Sequence, residues 1–535
     1  MSSDLFVKLT APNGRGYEQP LGLFINNEFV RCSHGRTITS IDPATESEIT
    51  TVQAASTDDI DRAVKCARAA LRSPAWKQLP ATDRGVLMGR LADLMEKNVE
   101  LLATIDAWDN GKPYSVALSE DLPEAIGTIR YYAGWADKTY GQTISTTHKK
   151  FAYTLRQPIG VVGQIIPWNY PLSMACWKLG PALACGNTVV LKAAEQTPLS
   201  ILVFATLIKE AGFPPGVINL VNGYGAEAGA AIARHPDVDK IAFTGSTVTA
   251  REIMKLAAGT LKNITLETGG KSPLIVFDDA DIDQAAKWAH VGIFSNQGQI
   301  CTATSRLFVQ EGIYDAFVKR FKEVIKETSI LGNQFEESTF QGPQVTKQQH
   351  ERILEYIEKG KSEGATVIYS ADADKEKPQK GYFVSPTVFG DVRDDMSICR
   401  EEIFGPVVVL SSFKTEEEAV ARANDTMYGL GAAVFTTDLE KAHRYVILHA
   451  NLRTVGTQEL WKKSPANASV SRIKQSEVSA EIEAGMVWVN SSQDCDPRIP
   501  FGGVKQSGIG RELGEQGLEA YSQVKAVHIN MGNKL

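Results

Sequence analysis

Five short apolar runs dominate the middle of the chain, at 158–166, 188–192, 216–221, 240–244 and 263–267. Runs that are apolar at nearly every position suit strands buried on both faces of a parallel sheet. Helical stretches at 200–211 and 226–234 separate them. Alternation of strand and helix predicts an α/β fold with a doubly wound parallel sheet. A second series follows at 273–277, 305–309, 407–410 and 486–490, so a second such sheet is expected, with the boundary just after Gly269 and Gly270. Ahead of both series, 23–30 reads as a hairpin turning at Asn26 and Asn27. Ser56 before Asp58 and Asp59 caps a long Ala-rich helix, Thr82 and Asp83 open another, and helices continue to about Tyr140. The alternation at 151–156 predicts an exposed strand.

Length and charge narrow the class. A chain of 535 residues is too long for one core. The formal net charge of −7 implies no basic face, which argues against a nucleic-acid partner. No stretch approaches the length of an apolar membrane span, and the N-terminus lacks a charged region followed by an apolar one, so a soluble, cytoplasmic protein is expected. The last residues, Asn533, Lys534 and Leu535, echo a peroxisomal Ser-Lys-Leu address only in part. Seven scattered cysteines with no Cys-x-x-Cys pair fit a reducing compartment with one functional thiol better than a disulfide framework or a zinc site; no metal is expected.

That thiol is Cys301, between the polar approach Asn296-Gln297-Gly298-Gln299 and a run of small residues. A thiol becomes a good nucleophile when partly ionised and within reach of a base. Glu267, beside Gly269 and Gly270, offers a carboxylate. A Cys and a Glu suffice to form a covalent thio-adduct and then activate a water to break it. Other strand ends carry candidate ligand groups. Phe243-Thr244-Gly245-Ser246 leads into a helix and could present backbone N–H groups to a phosphate, although no G-x-G-x-x-G fingerprint occurs. Lys192 and Glu195 either hydrogen-bond ribose hydroxyls or form an ordinary surface pair. Asn169 either donates to an oxyanion or makes a turn between Pro167 and Pro171.

Taken in order, Trp168-Asn169, Lys192, 243–246, 266–271, 298–301, 401–406 and 500–503 resemble the NAD(P)-dependent aldehyde dehydrogenase superfamily, in its general non-acylating tetrameric class. The resemblance runs from about residue 20 to the C-terminus. It implies a cofactor domain (1–139 and 159–269), a catalytic domain (270–506) and an oligomerisation arm (140–158 and 520–535), the arm strands at 151–157 and 521–529 bridging subunits in a homodimer or homotetramer. Cys301 would attack the aldehyde, Asn169 and the Cys301 N–H would hold the oxyanion, and Glu267 would activate the deacylating water. Lys178 and Glu512 would relay protons. Lys192 and Glu195 would hold the adenosine ribose, Gly245 and Ser246 the pyrophosphate, and Glu402 with Phe404 the nicotinamide end. Further cofactor contacts are implied for Ile165, Ile166, Pro167, Trp168, Gly225, Gly229, Phe243 and Gly269. A carboxylate at Glu195 would repel a 2′-phosphate, so NAD is expected over NADP. Trp168, Tyr170, Trp177 and Phe294 either line the aldehyde funnel or pack in the core.

One segment departs from the family pattern. Residues 445–477 are 33 extra positions with five Lys/Arg and two Asp/Glu, and removing them rejoins 438–484 as one amphipathic helix. The segment is either a lineage-specific loop or translated intron, which sequencing of the mature transcript separates. Because it precedes the strand expected at 486–490, a catalytically impaired relative retained for binding or structure is the alternative to an active enzyme.

Overall fold

The computed structural model describes residues 3–370, 380–444 and 482–532. Its centre is an eight-stranded sheet ordered Gly508–Ile509, Asn263–Glu267, Lys240–Thr244, Val161–Ile165, Thr188–Lys192, Ile218–Val221, Leu23–Ile25, Glu28–Val30. The five strands from Asn263–Glu267 to Ile218–Val221 in this order are parallel. Val161–Ile165, Thr188–Lys192 and Lys240–Thr244 are buried at every position, as the unbroken apolar runs require. The chain first builds outward from Val161–Ile165 through Thr188–Lys192 to Ile218–Val221. It then crosses back to lay Lys240–Thr244 on the other side. The order reverses at Val161–Ile165, so a crevice opens where the carboxyl ends diverge. Apolar clusters cover both faces.

The expected hairpin pairs Leu23–Ile25 with Glu28–Val30, and Asn26 and Asn27 take φ of 57° and 62° at its turn. Asn tolerates this left-handed region better than most residues. Ser56 caps the helix Thr57–Arg72 reciprocally: the Ser56 N–H donates to Asp59 Oδ2 at 2.9 Å, and the Asp59 N–H donates to Ser56 Oγ at 3.4 Å.

A seven-stranded sheet follows, ordered Thr366–Ser370, Thr387–Gly390, Val407–Phe413, Arg306–Gln310, Pro273–Val276, Gly431–Phe435, Met486–Val489. Only its first pair is antiparallel. Thr366–Ser370, Thr387–Gly390 and Gly431–Phe435 join strands that the apolar pattern marks, without such a signal of their own. The α/β class with two parallel sheets therefore holds. A third, antiparallel sheet joins Ser522–Asn530, Lys150–Pro158 and Thr143–Ile144. It exposes Ile144, Phe151, Leu155, Val524 and Ile529.

The segment 445–477 and the C-terminal tripeptide lie outside the described residues. The helix Leu439–Arg444 precedes the segment. On its far side Ile482 is buried with Ile275 and Phe277, and the chain enters Met486–Val489 without a helix there. No helix among the described residues is long and apolar enough to cross a membrane.

Candidate active site

The two large sheets meet where the chain leaves Asn263–Glu267 and passes through Gly269 and Gly270 into Pro273–Val276. A Cβ on Gly269 would lie 2.0 Å from Glu402 Oε2, and one on Gly270 would lie 2.7 Å from the Cys301 carbonyl. Only bare backbone lets both groups approach. The Gly270 N–H donates to Glu402 Oε1 at 3.0 Å.

Cys301 follows a left-handed turn. Asn296, Gln297 and Gly298 have φ of 47°, 58° and 72°, a costly run for two side-chain-bearing residues. Buried amides hold it. Gln297 Nε2 donates to the Gly111 carbonyl at 2.8 Å, and the Val345 N–H donates to Gln299 Oε1 at 3.2 Å. Asn296 Nδ2 donates to the carbonyls of Asn169 and Gln299 at 3.1 and 3.2 Å. Asn169 Nδ2 in turn donates to the Gln299 carbonyl at 2.9 Å. An Asn amide has two N–H bonds, so one remains for a ligand. From the other side, Gln493 Nε2 donates to the Thr302 carbonyl at 3.0 Å. The loop after Met486–Val489 thus pins the cysteine turn.

A cavity of about 650 Å³ opens onto Cys301. Of the residues singled out in the sequence, Pro167, Trp168, Asn169, Gly245, Ser246, Glu267, Gly269, Glu402, Phe404 and Glu512 line it with Cys301. Ile165, Ile166 and Phe243 are buried behind its wall, as is Lys178. Lys192, Glu195, Gly225 and Gly229 gather at the neighbouring strand end. Lys192 Nζ donates to Glu195 Oε2 at 3.1 Å, and a Cβ on Gly229 would lie 3.7 Å from Lys192 Cδ. Lys192 is only 2% exposed, so this is not an ordinary surface pair. Ser246 Oγ accepts from the Thr249 N–H at 3.2 Å and caps the helix Thr247–Ala257. Trp168 and Phe404 meet edge to face at 5.3 Å. Phe294 lies elsewhere: it is fully buried and stacks on Phe321, so it belongs to the core, whereas Tyr170 and Trp177 face the cavity.

Burial governs the electrostatics. Glu267 is 2% exposed, and neither carboxylate oxygen has a hydrogen-bond partner among the described residues. Desolvation, then the charge of Glu512, hold its carboxyl well above the ordinary range. Glu402 is pushed up to about 7 by burial. The Cys301 thiol is pushed up to about 12 by burial and then by the charges of Glu402 and Glu267. The thiol and Glu267 therefore resist ionising together. Lys178 pairs with Glu512 and donates to Thr244 Oγ1 at 2.7 Å. All seven cysteines are free. No cluster of three or more metal-ligating side chains occurs among the described residues.

Several cavity residues gave no signal in the sequence. Asn110 Nδ2 donates to the Trp168 carbonyl at 2.7 Å and fixes that loop. Glu120, Asp121, Glu124, Trp288 and Cys495 also face the cavity. Glu120, Asp121 and Glu124 share one helical run, where polar residues read as solvent-facing, whereas Trp288 and Cys495 come from distant parts of the chain.

Comparison with known proteins places this geometry. The model for "Aldehyde dehydrogenase family" matches residues 29–470 and 467–527, two pieces that meet inside the unusual segment. An aldehyde dehydrogenase of Emericella nidulans is 52% identical over 100% of this chain and 99% of its own. "Aldehyde dehydrogenase [NAD(P)+] 1" of Saccharomyces cerevisiae is 48% identical over 96% of each chain. The structure of a Bacillus cereus aldehyde dehydrogenase in complex with NAD+ superposes with a TM-score of 0.87 at 47% identity, covering 96% of this chain and 97% of that one.

Proposed function

The chain belongs to the aldehyde dehydrogenase family, and on that premise we propose that it oxidises an aldehyde to the carboxylic acid through a thioester on Cys301, with NAD as cosubstrate. One observation carries the reading: a thiol, an unpartnered buried carboxylate and an amide with a spare N–H converge on one cavity.

The residues fit a dinucleotide. The helix Thr247–Ala257 begins at the crevice, where its free N–H groups and dipole favour a phosphate. Gly245 cannot carry a side chain, since its Cβ would lie 2.5 Å from the Phe243 ring, so the turn stays bare. Lys192 and Glu195 would hold the adenosine ribose, with Gly225 and Gly229 leaving room beside them. Glu402 and Phe404 would hold the nicotinamide end. Bound there, NAD supplies the hydride acceptor.

Cys301 Sγ attacks the carbonyl carbon, and its proton passes to the Glu267 carboxylate. Glu267 raises the proton affinity of the thiol, so taking up its proton leaves a single negative charge, which now sits on the attacking sulfur. Asn169 Nδ2 and the Cys301 N–H hold the resulting oxyanion. Loss of hydride leaves a thioester. Glu267 then takes a proton from water, the hydroxide adds to the thioester, and the acid departs from the thiol. Lys178 and Glu512 carry protons away from Glu267. The reading includes a cytoplasmic homodimer or homotetramer built on the third sheet, whose exposed apolar edge residues favour a second chain.

Three outcomes test these assignments. NADH should form from a panel of aldehydes with the full chain; if only a version lacking 445–477 is active, the impaired-enzyme alternative applies to the full chain. Asn169→Ala should lower kcat by about 10²–10³-fold with little change in NAD affinity; an unchanged kcat would leave the oxyanion to other donors. NAD should exceed NADP in kcat/KM by about tenfold or more, because a carboxylate near a 2′-phosphate costs about 1 kcal/mol even at the dielectric of water. Glu195→Gln should narrow that ratio, and a preference for NADP in the parent would overturn the assignment.

A further inference from the structure

Part of the cavity wall is acidic. Glu120, Asp121, Glu124 and Asp494 all face it. Lys112, almost wholly buried, pairs with Asp121 and sets its ammonium 4.0 Å from the Tyr170 ring centre. It offsets one charge. Glu120, Glu124 and Asp494 have no ion-pair partner among the described residues. Glu124 is also held in place: Trp177 Nε1 and Thr128 Oγ1 both donate to its Oε1, at 2.6 and 3.0 Å. Ser173 is a further hydrogen-bonding neighbour, and burial pushes the Glu124 carboxyl up to about 7, so a nearby cation would favour its charged form. The same cavity is a ligand site on independent grounds, since Glu267 faces it fully buried with neither oxygen hydrogen-bonded.

Electrostatic neighbours tie the acidic wall to the nucleophile. Tyr170 feels the charges of Asp121, Cys301 and Glu120 together. Cys495 feels both Glu124 and Cys301. An aldehyde whose carbonyl reaches Cys301 therefore projects its far end toward carboxylates and aromatic faces. Carboxylates in a partly desolvated pocket repel an anion, gain little from a methyl group and attract a cation. Trp and Tyr faces add cation–π attraction.

We propose that the substrate arm selects aldehydes bearing a cationic nitrogen at the end remote from the carbonyl, with Glu124 and Glu120 as the specificity-determining residues. The proposal rests on the reading of Cys301 as the nucleophile. A protonated amine beside Glu124 would replace the missing ion-pair partner and stabilise the carboxylate.

Turnover of 3-aminopropanal, of its neutral isostere butanal and of the anion 4-oxobutanoate tests this with the full chain and NAD. The expected order of kcat/KM is cation, neutral, anion, with about tenfold or more between the first two. Glu124→Gln and Glu120→Gln should each shrink the ratio of cation to neutral several-fold, chiefly through KM. Equal kcat/KM for 3-aminopropanal and butanal in the parent, or variants that lower both alike, would overturn the proposal while leaving the oxidation itself intact. A parent inactive on all three aldehydes would count instead against the proposed function. In that case calorimetric binding of 3-aminopropanol against butanol to the NAD-loaded chain decides the selectivity: tighter binding of the amine supports it, and equal binding sinks it.

Discussion

Cys301→Ala is expected to abolish NADH formation from every aldehyde, with kcat falling at least about 10⁴-fold. No neighbour can replace the thiol. Thr302 carries a hydroxyl, but hydrogen bonds hold it to Gln493. Cys495 faces the same cavity, yet burial pushes its thiol up and Glu124 adds to the effect, so it resists ionisation. The side chain removed is small, and the turn is fixed by the amides of Gln297, Gln299 and Asn296. The variant should therefore fold and bind NAD with nearly parental affinity, which a fluorescence titration measures. An alanine variant that still turns over would remove the thioester from the mechanism. One that loses NAD binding as well would show that the turn, and not the nucleophile alone, had been lost.

Glu267→Gln should separate the two halves of the reaction. Acylation should slow, since Glu267 also takes the thiol proton, yet still release about one NADH per active site, and steady-state turnover should then fall by about 10²–10⁴-fold as the thioester persists. Mass spectrometry should find the acyl group on Cys301. The pH dependence follows from the raised pKa of the buried carboxyl. The base is the carboxylate, and its fraction grows as pH rises through that raised value. Deacylation in the parent should therefore climb at pH well above the ordinary carboxylate range and level off once the carboxyl is ionised. In Glu267→Gln that limb should vanish. If the variant retains the parental limb and shows no burst, the water is activated by another group, and Glu402, held at about 7, is the next candidate.

Much of this molecule was legible from residue patterns. Largely apolar runs located all five parallel strands of the first sheet, because a strand buried on both faces has few polar positions to spare. Asn26 and Asn27 announced their turn, and Ser56 with Asp59 its helix cap, since local backbone chemistry needs only neighbours in sequence. The order of motifs singled out Cys301, Glu267 and Asn169, which line one cavity. Strands Thr366–Ser370, Thr387–Gly390 and Gly431–Phe435 were missed, being short and close to glycines and turns.

What the tertiary structure alone decided is which side chains share a space. Phe294 and Trp177 look alike in sequence, yet one is stacked in the core and the other faces the cavity. Lys192 and Glu195 read equally well as a surface pair until burial removed that option. The acidic wall exists only because the helical run that carries Glu120 and Glu124 meets the distant loop that carries Asp494. Secondary structure follows from interactions a few residues apart, which the sequence writes out in order. Burial, and with it proton affinity and substrate preference, depends on segments hundreds of residues apart, and only their packing sets it.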